Sequence, residues 1–94
     1  MHVAALTVQL LLPGCDSLKD KRSRLKPLLV ALRREFHVAA AEVEANDSHQ
    51  HAVIALVNIG NDAGYVERSL AVIPRWIERH RPDLEVADHR IEHL

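Results

Sequence analysis

Aromatic side chains are nearly missing from this chain: Phe36, Tyr65 and Trp76 are the three among 94 residues. Single-strand nucleic-acid binders stack bases on aromatic platforms, and so few rings leave little material for one. Cysteine occurs once, as Cys15, so no intrachain disulfide can form and a disulfide-stapled secreted scaffold is excluded. Three glycines and four prolines are too few for a linker or a fibre. Net charge is almost absent, at −1 from twelve basic and thirteen acidic residues, so no global charge draws the chain to nucleic acid or to an anionic membrane. No apolar run approaches transmembrane length. Residues 3–12 are mostly apolar and lead into Leu12-Pro13-Gly14-Cys15, which superficially resembles a lipoprotein cleavage box. No Lys or Arg precedes that run, and Gln9 interrupts it, so the expectation is a cytoplasmic protein rather than an exported one.

What is present is an apolar content of 48% with 27% charged residues, the composition of one small globular domain spanning 1–94. The charge is polarised along the chain. Residues 17–36 carry a net +5, and residues 83–94 a net −3.

The order of elements follows from period and punctuation. Residues 2–12 read as a buried strand ended by Pro13-Gly14. Ser17 is a good helix N-cap, with Asp20 where a capping box usually has Glu. Leu18, Leu25, Leu28, Leu29, Leu32 and Phe36 then share one helical face, and Pro27 inside the pattern predicts a kink rather than an end. Residues 37–45 read as a strand, Asn46-Asp47-Ser48 as a turn, and 50–60 as a strand apolar on both faces. Asn61-Asp62 caps a second helix carrying Val66, Leu70, Ile73 and Ile77. Pro74 is an internal breaker, Pro82 marks the end, and 84–93 form a last strand.

The resulting order, β-α-β-β-α-β, predicts an α+β ferredoxin-like fold: a four-stranded antiparallel sheet with two helices on one face and strands 1 and 3 central. The other sheet face is then open. Ala52, Val53, Ile54, Ala55, Leu56 and Val57 give the third strand apolar groups on both sides, so the open face is a candidate surface for homo-oligomerisation. The ordinary alternative is an open sheet that simply tolerates small apolar groups.

Leu11-Leu12-Pro13-Gly14 followed by Ser17-Leu18-Lys19-Asp20-Lys21-Arg22 resembles the SLK-x-KR segment of the YlxP-like family of small bacterial domains of unknown function. Ala41-Glu42-Val43 and the Asn61-Asp62 helix start are similar to that family as well. The resemblance covers essentially the whole chain in length and element order. It implies a ferredoxin-like fold. It also implies gene neighbours among transcription-termination factors, translation-initiation factors and a ribosome-binding factor, and hence a link to ribosome maturation or RNA handling. It supplies no activity and no catalytic residue.

Three surfaces are candidate sites. Lys19, Arg22, Lys26 and Arg33 fall within a sector of about 60° on the first helix. They are spaced to follow a phosphate backbone, with Ser17 at the helix N-terminus beside them. The ordinary alternative is basic side chains laying their methylenes over the edge of the core stripe. On the second helix, Tyr65, Val72 and Trp76 form a stripe about 110° from the core, and Arg68, Arg75 and Arg79 lie on the next stripe. Aromatic and arginine residues together favour a contact face for a partner. The ordinary alternative is that the rings extend the core and the arginines are solvated.

Seven histidines are many for this length, but their spacing lacks three or four converging ligands, so no metal is expected. No P-loop, dinucleotide fingerprint or glycine-rich phosphate cradle is present, and Cys15 has no histidine adjacent in sequence, so neither a cofactor nor an enzymatic activity is expected. The expectation is a non-enzymatic domain that binds RNA or a ribosome-associated partner. The alternative is a self-associating module for protein or small regulatory ligands with no nucleic-acid role.

Overall fold

The computed structural model describes every residue except Asn46. Four strands, β1 (His2–Leu11), β2 (Ala39–Glu44), β3 (His51–Gly60) and β4 (Glu85–His93), form one antiparallel sheet in the order β2-β3-β1-β4. The two most apolar strands are therefore central. Helix α1 (Leu18–Phe36) packs over β2, α2 (Ala63–Ala71) over β1 and β3, and α3 (Ile73–His80) against β4. Together they make the α+β fold in β-α-β-β-α-β order that the hydrophobic periods predict.

Alternation builds the core. Ala4, Leu6, Val8 and Leu10 of β1, with Ala52, Ile54 and Leu56 of β3, are fully buried beneath Leu28, Leu32, Val66, Leu70, Ile73 and Ile77. Each large side chain so buried contributes about 1.5–3 kcal/mol. Between β1 and α1, Gly14 takes the left-handed φ of 74° that the turn requires, and Cys15 N–H donates to the Leu12 carbonyl. Ser17 Oγ accepts the Asp20 N–H at 3.0 Å. The Asp20 carboxylate does not complete a capping box; it pairs with Arg24 at 3.3 Å.

The two internal prolines behave differently. α1 runs unbroken through Pro27. The second helix divides at Val72, two residues before Pro74, so Pro74 sits in the first turn of α3. A missing N–H costs nothing there. Of the turn expected at 46–48, Asn46 lies outside the described residues, and Ser48 N–H donates to the Ala45 carbonyl at 3.0 Å.

Among the described residues, one charged side chain lies inside this core. Lys21 is 2% exposed, and its ammonium lies 2.7 Å from Glu42 Oε2, 2.7 Å from the Ala45 carbonyl and 2.6 Å from the Ser48 carbonyl. Helix α1 is thereby tied to β2 and to the β2–β3 connection. Ala45 itself holds φ 60°, a left-handed conformation that costs a residue with a Cβ about 1 kcal/mol. At the other loop, Arg81 Nε and Nη2 hold the two Asp83 oxygens at 3.0 and 2.9 Å. The Arg81 guanidinium keeps the Asp83 carboxyl below the usual carboxylate range. That tie is complete at neutral pH and is lost as pH falls through the lowered range.

Lys21→Met removes the ion-pair partner of Glu42 and the donor to two carbonyls. The expected loss of unfolding free energy is about 2–3 kcal/mol, toward the low end because Glu42 retains 24% exposure. The pair Lys21→Met/Glu42→Leu is expected to recover most of it. Urea midpoints measure both, and a single variant as stable as the parent refutes the clamp.

Candidate functional site

Helix α1 carries seven cations, and the structure sorts them; Arg34, in the last turn, is exposed and lies outside the stripe. Lys21 is buried in its clamp. Arg24 donates to the Pro13 carbonyl at 2.9 Å and pairs with Asp20. Arg33, expected in the phosphate stripe, donates through Nε and Nη2 to the Ala40 carbonyl at 3.2 and 2.6 Å. One neutral carbonyl leaves the guanidinium charged and its Nη1 uncommitted, so Arg33 is the member of the stripe of four that is anchored to β2. Ser17 is likewise engaged as a cap. Lys19, Arg22 and Lys26 are exposed, and among the described residues none has an ion-pair or hydrogen-bond partner. They stand three and four residues apart, along about 10 Å of helix. Beside them, Arg22, Ser23, Lys26, Pro27 and Val30 line an open trough of about 480 Å³.

The second-helix candidates separate at Val72. Tyr65 and Arg68 stay on α2, with Tyr65 59% exposed. Arg68 lies back over Gly64, its Nη1 2.9 Å from where a Cβ there would sit. Val72, Arg75, Trp76 and Arg79 instead line a cleft of about 650 Å³ with Phe36, His80 and His89. Trp76 meets Phe36 edge-on with ring centroids 5.6 Å apart and stacks on His80 at 4.2 Å. His80 Nδ1 lies 2.9 Å from the Trp76 carbonyl. The sequence pattern does not bring Phe36 and His89 to this place, because they come from α1 and β4. His80 had a signal: it follows Trp76 by four residues, one helical turn.

On the open sheet face, register decides which candidates are present. Ala52, Ile54 and Leu56 point beneath the helices and are fully buried, so of the six self-association candidates only Val53, Ala55 and Val57 lie on the open side. Cross-strand pairs there place Ala5 beside Val57 and Val57 beside Ala39, then Thr7 beside Ala55 and Ala55 beside Ala41. Val3 pairs with Ile59 at the end, and Ile59 is 58% exposed. The result is a strip of small apolar groups across β1, β3 and β2, bordered on β4 by Glu92 beside Ala5 and Arg90 beside Thr7. Gln9, Glu44 and Asp88 make the opposite end polar around Val53.

This geometry sits in a recognisable sequence family. Residues 3–91 match the family described as a protein of unknown function, DUF503. The chain belongs to that family. No curated protein matches this DUF503 domain. Among the described residues, no three His, Cys, Asp or Glu side chains are placed to share a metal ion, and no helix is long and apolar enough to cross a membrane.

Cys15 is fully buried. Burial, with Asp20 nearby adding to it, pushes its thiol above the ordinary value, so the thiolate that nucleophilic chemistry needs is scarce at neutral pH. Alkylation of the native DUF503 domain by iodoacetamide is expected to be slow and to accelerate sharply in denaturing urea. Rapid native labelling at neutral pH contradicts a shielded thiol.

Proposed function

We propose that this domain is a non-enzymatic binding module whose α1 ridge holds RNA, in the setting of ribosome maturation or translation. The observation that carries the reading is the sorting of α1 cations. Lys21, Arg24 and Arg33 have intramolecular partners, and among the described residues Lys19, Arg22 and Lys26 stand exposed without one. Unpaired cations along one helix ridge position a phosphate backbone without reading bases. The sheet offers no aromatic platform, so the helical side is the side that binds.

The YlxP-like resemblance of residues 17–22 supports the same reading through its ribosome-linked gene neighbours. Within that segment Ser17 and Lys21 serve the fold, while Lys19 and Arg22 are left for a partner.

Three phosphate contacts to a single strand give a slope of about −2 in log affinity against log salt. Affinity for a ribosomal RNA fragment is therefore expected to fall about 20-fold between 50 and 200 mM salt. In the variant K19A/R22A/K26A that dependence is expected to vanish. Fluorescence anisotropy across salt reads both. No binding, binding indifferent to salt, or an unchanged triple variant overturns the phosphate reading.

A second reading rests on the strip of Ala5, Ala39, Ala41, Ala55 and Val57, where small side chains let another sheet approach closely. It is a self-associating module through that face, serving protein or small-ligand partners rather than RNA. Sedimentation is expected to show a dimer that Val57→Lys converts to monomer. A parent chain that stays monomeric at high concentration removes this reading.

A further inference from the structure

The α3 cleft has a chemistry that the α1 ridge does not explain. Its volume of about 650 Å³ lies within the range of small-molecule sites. One wall is the Phe36–Trp76–His80 ring cluster, with ring centroids 5.6 and 4.2 Å apart. Arg75 and Arg79 stand one helical turn apart on the same lining. Among the described residues neither arginine has an ion-pair or hydrogen-bond partner. The stacked Trp76–His80 pair, its rings 16° apart, next to two guanidiniums without an ion-pair partner suits a planar ring carrying an anionic group, because stacking and a forked charge-assisted bond are satisfied together. Glu78 is the one carboxylate on the lining. It accepts hydrogen bonds, which favours a ring with amino donors over a plain aromatic acid.

We propose that this cleft binds a nucleotide: a base against the Trp76–His80 stack and a terminal phosphate on Arg75 and Arg79. The nucleotide comes either free or as the 5′ end of an RNA. The site uses no residue of the α1 ridge, so it stands or falls separately from the RNA-backbone reading.

Trp76 is the chain's one tryptophan, so its fluorescence reports occupancy directly. The full chain is titrated with AMP, adenosine and inorganic phosphate, and with a short RNA bearing a 5′-phosphate or a 5′-hydroxyl. A saturable quench by AMP is expected, with adenosine and phosphate each weaker by about tenfold or more. R75A/R79A is expected to weaken AMP by about tenfold or more with an unchanged thermal melt. K19A/R22A/K26A is expected to leave the AMP curve unchanged. A response to AMP but not to phosphorylated RNA assigns the free nucleotide; a response only to the 5′-phosphorylated RNA assigns the RNA end. Equal curves for AMP and adenosine, equal curves for R75A/R79A and the parent, or no saturable change with AMP and the phosphorylated RNA overturns the proposal.

Discussion

A lysine buried beneath its own helix constrains much else in this molecule. Lys21 occupies the same stripe of α1 as Leu25, Leu28 and Leu32, so it enters the core where a leucine would. An ammonium out of water needs partners on every side. Glu42 and the carbonyls of Ala45 and Ser48 supply them. The same contact gives Glu42, on the helix-facing side of β2, its compensating charge. It also anchors the left-handed turn at Ala45. Helix, strand and loop are fixed in one place by one cation.

The rotation of α1 follows from that anchor. With Lys21 pointing inward, helical geometry turns Lys19 and Arg22 away from the core by about 200° and 100°. Arg33 then reaches the Ala40 carbonyl at the far end of the same helix–strand contact. The basic character of α1 therefore divides into cations that hold the helix on β2 and cations that face out. The net +5 of residues 17–36 is therefore split between a buried clamp and an exposed face.

The break at Val72 has a comparable effect on the second helix. Pro74 cannot donate to the turn before it, and the chain divides where that loss is smallest. Tyr65 and Arg68 then belong to one helical segment, and Arg75, Trp76 and Arg79 to another that packs on β4. An unbroken helix would have kept the aromatic and arginine stripes continuous. The break leaves the second half to meet Phe36 and His89 and to form a cleft.

The fold was legible from the residues because hydrophobic period and turn chemistry are local. The apolar runs of β1 and β3, the Ser17 cap and the Pro13-Gly14 turn set element type, order and the central strands. The same periods assign Val53, Ala55 and Val57 to the open face once the helices are known to cover the other. Partnership was not legible. Charge and helical spacing place Arg33 in the basic stripe, and only the fold shows it holding the Ala40 carbonyl. Lys21 reads as one more surface cation until a carboxylate on β2 and two loop carbonyls are brought to it across 21–27 residues of chain. The cleft joins α1, α3 and β4 through side chains that no local pattern relates. Local physics by itself determined which elements form and which way each faces. Tertiary packing alone decided which charged groups find an intramolecular partner and which stay exposed, because pairing depends on distance in space and not along the chain.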